Sequence, residues 1–367
     1  MADGGNAVQA DFDLLLAGAG HVHLGVLRLW ASGQRPRGRI ALICPEPQVW
    51  YSGMLPGLLA GRYRVEQCRI HLPPLCAAAG IEWLPAAVVA LAAGTHTLRL
   101  TSGESLQGRW LSLNPGALPR APEQQGACME LLPVKPFPGF IARWRVWRQQ
   151  PEPLAILGGG AAGVELALAL ARQVPSLSLF CATTLLAGHP PALRTRALRH
   201  LQAAGVRVHE HCPVERVCGA TLLAAGRPVW QGHRLILASG ASPLPWLRES
   251  GLACDERGFV AIAATLQSVS HPQLFASGDC ASLADTPHNG VHAVRQGPVL
   301  ARNLAAALSG KPLAAYRPQR RVLALLADGQ GGALLSWGGL TAEGALLGRW
   351  KDFIDRRFMR RHDAIAD

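Results

Sequence analysis

Two stretches of the chain read alike: Phe12-Asp13-Leu14-Leu15-Leu16-Ala17-Gly18-Ala19-Gly20-His21-Val22-His23 and Leu154-Ala155-Ile156-Leu157-Gly158-Gly159-Gly160-Ala161-Ala162-Gly163. Each is a short apolar strand that runs into a glycine turn and then a helical run, Leu24 to Arg28 in the first and Val164 to Arg172 in the second. In such a unit the first glycine makes the tight turn and the second lets a pyrophosphate approach the backbone. The start of the helix then offers unpaired N–H groups and the positive end of its dipole to the phosphates. Gly158, Gly160 and Gly163 complete the pattern in the second copy. The first has Gly18 and Gly20 but His23 in place of the third glycine, so its helix is expected to sit slightly further from its strand. His21 and His23 are candidates for a phosphate contact, with packing as the competing role.

A carboxylate about 20 residues further on ordinarily holds the ribose hydroxyls. After the first copy the strand Arg39 to Ile43 ends in Cys44, and Glu46 is the nearest acid. After the second, Leu177 to Phe180 ends in Cys181-Ala182-Thr183, with no acid. Arg194 or Arg196 could meet a 2′-phosphate instead, which would favour NADPH.

Working outward, 367 residues suggest two or three domains, and 49% hydrophobic against 16% charged residues exclude general disorder. No apolar stretch reaches the roughly 20 residues of a membrane-spanning helix, and Met1 to Phe12 does not read as a secretory signal. The net charge of +12 comes mostly from scattered Arg, with neither a basic stripe nor a nucleic-acid reading motif, so no nucleic-acid partner is expected. Nine evenly spread cysteines without a CxxC suggest reduced thiols and a cytoplasmic setting, and no metal site.

A third signal follows. Leu274-Phe275-Ala276-Ser277-Gly278-Asp279 is a buried strand ending in Gly-Asp, and Val291-His292-Ala293-Val294-Arg295-Gln296-Gly297-Pro298 opens a helix. Such an Asp can accept from ribityl hydroxyls while the helix start faces the flavin. The strand ends Ser112-Leu113-Asn114-Pro115-Gly116 and Leu235-Ile236-Leu237-Ala238-Ser239-Gly240 resemble crossovers between two nucleotide domains. In this order the motifs resemble the two-dinucleotide-binding flavoproteins of the pyridine nucleotide-disulfide oxidoreductase superfamily. Trp50 to Gly61, Pro133-Val134-Lys135-Pro136 and Trp350 to Met359 bring the chain close to the type II NADH dehydrogenase-like FAD subunits associated with selenide, water dikinase.

The resemblance implies an α/β fold of two Rossmann-like three-layer domains with FAD and NAD(P)H as cofactors. The FAD domain would comprise residues 1–117 and 241–312, the NAD(P) domain 118–240, and residues 313–367 a C-terminal interface segment. It implies FAD contacts from Gly18, Gly20, His21, Glu46, Ser52, Gly53, Gly116, Gly278, Asp279 and Ala293, and nucleotide contacts from Gly158, Gly160, Gly163 and Gly240. Lys135 would stabilise charge beside the flavin, Glu165 would face the nicotinamide, and Gln296 would face flavin and quinone.

No pair of cysteines has the C-x4-C spacing of dithiol reductases, and none follows Cys280, where sulfide:quinone oxidoreductases carry a redox cysteine. Direct flavin chemistry remains: hydride from NAD(P)H, then electrons to a quinone or another small acceptor. Two alternatives stay open, a flavoprotein of selenium metabolism serving the dikinase and a non-catalytic flavin-binding protein. Leu346, Trp350, Phe353, Ile354 and Phe358 recur at helical spacing among Arg residues, so 346–361 reads as a basic amphipathic helix. It either packs its apolar face on the FAD domain or lies on the inner face of the cytoplasmic membrane; a homodimer is also compatible.

Overall fold

The computed structural model describes residues 10–284, 286, 290–319 and 321–363. Phe12–Ala17 has a parallel neighbour on each side, with Leu14 level with Ile40 of Ile40–Ile43 and with Trp110 of Ser105–Leu113. Covered on both faces, this strand is a nearly unbroken apolar run instead of an alternating one. The sheet continues from Glu82–Leu84 through these three strands to Thr97–Leu100 and Val88–Ala92. Leu274–Ala276, far along the chain, also pairs in parallel with Ser105–Leu113.

Between those two visits the chain builds a second parallel sheet. Its order is Glu130–Pro133, Arg234–Leu237, Leu154–Leu157, Leu177–Phe180 and Val206–His209. Val214–Cys218, Thr221–Ala224 and Arg227–Gln231 form an antiparallel ribbon beside it, extended by Glu123–Gln125. The outgoing and returning passages run side by side, since Leu118–Pro119 pairs antiparallel with Ala241–Ser242. The two expected crossovers lie just before these paired segments. The fold is α/β, with two Rossmann-like sheets.

Leu323–Ala327, Ala333–Trp337 and Leu340–Gly344 then make an antiparallel meander, followed by the helix Ala345–Asp363. The meander packs on the second sheet's helices Ala161–Leu170 and Pro191–Ala203. One carboxylate strengthens that seam: Glu343 accepts from Arg196 at 3.0 Å, from His200 at 3.1 Å and from Arg199.

The helices that open the first fingerprint and follow the Gly-Asp turn, His21–Leu29 and Gly290–Leu308, cross at a pair of glycines. A Cβ on Gly25 would lie 3.3 Å from the Gly297 Cα, and one on Gly297 would lie 3.3 Å from the Val22 carbonyl oxygen. Close approach buries Val22 and Val26 on one helix and Leu300, Ala301 and Leu304 on the other. Gly297→Leu should force the helices apart and cost about 2 kcal/mol, read as a lower urea midpoint at unchanged slope.

Candidate functional site

A buried amide, that of Asn114, braces the first glycine turn. Gly18 has φ +85°, and a Cβ there would lie 2.7 Å from the Asn114 carbonyl oxygen; at Gly20 it would collide with Asn114 Oδ1. That oxygen accepts the His23 N–H at 3.2 Å, while Asn114 Nδ2 donates to the Ser277 carbonyl at 2.7 Å. Asn114 therefore ties the fingerprint to the Gly278-Asp279 turn across 163 residues. Gln296 braces the turn from its other side, its Oε1 accepting the Gly278 N–H at 2.8 Å. Expected to face flavin and quinone, Gln296 is a buried strut of the turn, one helical turn beyond buried Ala293.

His23 does not reach for phosphate. Its Nδ1 donates to the Gly18 carbonyl at 2.6 Å and its Nε2 accepts from the Ser112 hydroxyl at 2.8 Å. Burial lowers its pKa to about 4, so the ring is neutral and serves as a tie where the motif has a third glycine. His21 differs: burial and the nearby Lys135 lower its pKa to about 4, and its Nε2 has no hydrogen-bond partner. Its ring meets Tyr51 edge-on at 5.7 Å.

These residues fit a dinucleotide. Gly20 and Gly160 are the N-caps of their helices, and as glycines they carry no capping side chain; neither helix has an acid in its first turn. In the first helix Asn114 already accepts the Gly20 and His23 N–H groups, so the His21 and Val22 N–H groups are the ones left to offer a phosphate. Gly158, with φ +132°, and Gly163 are demanded by the chain's own backbone, against Ala238 and Gly158. A Cβ on Gly160, Gly116 or Gly240 would meet nothing within 4 Å, so the chain's own atoms do not fill the space there.

Lys135 was expected to stabilise charge beside the flavin. Its Nζ lies 2.8 Å from Asp279 Oδ2, joining the second sheet to the Gly-Asp turn. Glu46 is exposed beyond the strand tip, where Cys44 is buried. Ser52 opens the short turn Ser52–Met54, with Gly53 beneath the Tyr51 ring, where a Cβ would lie 2.8 Å from Tyr51 Cζ.

Glu165 marks a junction that sequence reading assigned only in part. Its carboxylate accepts the Ala327 N–H at 2.7 Å and lies 4.0 Å from Lys351 Nζ. Lys351 also donates to the Gly53 carbonyl at 2.8 Å and to Asp355 Oδ2 at 2.9 Å, and the Tyr51 hydroxyl bonds to Asp355. Burial pushes Glu165 up to about 7, against the pull of Lys351, and raises Asp355 as well. Burial works against the Lys351 ammonium, yet the two acids raise its pKa. Lys351 and Asp355, spaced i to i+4 on a helix read as merely basic and amphipathic, were the missed signal. A cavity of about 30 Å³, enough for one water, lies between them and Gly57, Tyr63 and Gly332.

The helix also presents apolar side chains outward. Phe358 stacks on Tyr51 at 4.2 Å and Met359 is buried. Leu346, Trp350 and Phe353, with Trp337 and Leu340 of the adjoining hairpin, are between 41% and 76% exposed. The helix therefore does not hide its whole apolar face on the first sheet's side; it buries Lys351 and Asp355 beside Glu165 and leaves apolar groups in solvent.

The chain matches the family described as pyridine nucleotide-disulphide oxidoreductase over residues 18–297. It belongs to that family. It is accordingly an oxidoreductase that uses FAD and NAD(P)H. It is similar to a demethylphylloquinone reductase from Synechocystis sp., 30% identical over 53% of this chain and 52% of the relative. A type II NADH:quinone oxidoreductase from Haemophilus influenzae is 24% identical over 54% and 47%. The matched region thus spans about half the length of these relatives. In fold it is similar to the sulfide:quinone oxidoreductase of Aquifex aeolicus, with a TM-score of 0.78 at 14% identity over 96% of this chain and 92% of that one. None of these three carries the link to selenide, water dikinase.

Lys351→Met would leave Glu165 and Asp355 buried without a counter-charge and free the Gly53 carbonyl. The expected loss is about 3–5 kcal/mol of stability, measured by urea unfolding of the flavin-loaded protein.

Proposed function

We propose that this oxidoreductase takes hydride from NAD(P)H and passes electrons to a quinone at a membrane surface. The observation that carries the reading is the buried Glu165–Lys351–Asp355–Tyr51 network, which joins the second glycine unit to the Tyr51 turn directly beneath an exposed apolar face. Both matched quinone reductases support it. A place in selenium metabolism rests on the sequence resemblance alone.

Bound FAD would supply two-electron transfer between donor and acceptor. The chain's own residues supply the rest. The helix starts at Gly20 and Gly160 would hold the phosphates. Asp279, steadied by Lys135 and by the Gln296 brace, accepts hydroxyl hydrogens of the cofactor's sugar chain. Glu165, pushed up to about 7, holds or releases a proton near neutral pH, and Lys351 offsets the charge left when the proton departs. Anaerobic addition of NADH or NADPH should bleach the visible flavin band. A flavin that stays oxidised with both would remove the reading.

Among the described residues no helix is long and apolar enough to cross a membrane. Contact with lipid would come from Trp337, Leu340, Leu346, Trp350 and Phe353, ringed by exposed Arg349, Arg357 and Arg360. The protein should float with vesicles rich in anionic lipid and less with zwitterionic ones, and Trp350→Glu with Phe353→Glu should abolish flotation. If the face joins two copies instead, the wild type will not float and will sediment as a dimer that the same double variant dissociates.

A further inference from the structure

We propose that the donor site does not read the 2′ position of the adenosine ribose, so NADH and NADPH are taken with affinities within about tenfold of each other. The inference rests on the NAD(P)H reading and goes beyond it, to the residues that set donor choice.

In a strand, glycine turn, helix unit the tip of the next strand lies beside that ribose. A carboxylate there accepts from a free 2′-hydroxyl, and an arginine there accommodates a 2′-phosphate. Leu177–Phe180 pairs in parallel with Leu154–Leu157, with Phe180 level with Leu157, and the Gly158 N–H donates to the Phe180 carbonyl at 2.9 Å. Cys181 is therefore the tip residue. Its side chain is buried against Gly159, where a Cβ would lie 2.7 Å from Cys181 Cβ. Burial holds it as a neutral thiol. Ala182 and Thr183, the next residues, are uncharged.

The charged groups nearby are committed elsewhere. Glu210 accepts the Leu185 N–H at 2.6 Å and grips Arg194 through both carboxylate oxygens, the Nε contact being 2.9 Å. Arg194 thus has an anion already, and three of the roughly four acceptor positions of Glu210 are taken. Arg196 and Arg199 turn away to Glu343 on the C-terminal meander. The arginines expected to favour NADPH are structural. His211, whose N–H donates to the Thr183 carbonyl at 3.2 Å, has an exposed side chain, so its contact with a phosphate would be screened by solvent. Among the described residues at this tip, neither a free carboxylate nor a free guanidinium remains to choose.

The test uses the flavin-loaded protein and two fragments that bind without hydride transfer, ADP-ribose and 2′-phospho-ADP-ribose, titrated calorimetrically. Their dissociation constants should agree within about tenfold. Ala182→Arg, at an exposed position, should tighten only the phosphorylated fragment by about tenfold or more, and Cys181→Asp should shift the preference toward ADP-ribose. A wild-type preference of about a hundredfold for either fragment would overturn the inference while leaving the NAD(P)H reading intact. So would an Ala182→Arg variant with an unchanged ratio. If neither fragment binds and neither nucleotide bleaches the flavin, the inference falls together with the reading beneath it.

Discussion

One ammonium group holds three parts of this molecule at one point. Lys351 reaches from the C-terminal helix to the Gly53 carbonyl of the first sheet's Tyr51 turn and to Glu165 on the second sheet's fingerprint helix, with Asp355 on its own helix as a further acceptor. Taking an ammonium and two carboxylates out of water is costly, and only dense mutual contact offsets it. The arrangement balances when one of the two acids keeps a proton, which agrees with the raised pKa of both. Whatever alters charge at Glu165 is therefore felt at the Tyr51 turn and along the helix that carries the exposed apolar face.

The glycines divide into two physical kinds. Gly18, Gly20, Gly158 and Gly163 are required by the protein's own packing, since a side chain there would strike backbone or the Asn114 amide. Gly160, Gly116 and Gly240 face open space. The first kind explains why the turns are tight enough to present their N–H groups at all.

The strand, glycine turn, helix units were legible because local rules set them: an unbroken apolar run, then residues able to adopt the turn. The parallel core of both sheets follows from that pattern. Pair contacts between distant segments left no local trace. Lys135 was singled out for its rarity, yet its partner Asp279 lies 144 residues away. Arg194 and Arg196 looked available because neither Glu210 nor Glu343 announces itself as their partner. Asn114 sat inside a quoted motif without its side chain being weighed. Lys351 was read with the surrounding arginines as surface charge, because helical spacing alone does not say which charged face turns inward.

The route of the chain has a kinetic consequence. Leu274–Ala276 completes the pairing of Ser105–Leu113, and Ser277 supplies the carbonyl that Asn114 holds. Everything from Glu123 to Ser242 lies between, and the second sheet within it uses only its own strands. During synthesis that inner unit can close on itself while the outer sheet waits with an unpaired edge. The proposed cofactor cradle at Gly18, Gly20 and Gly278 is thus among the last features to assemble. Its long sequence separation makes it a slow step of folding.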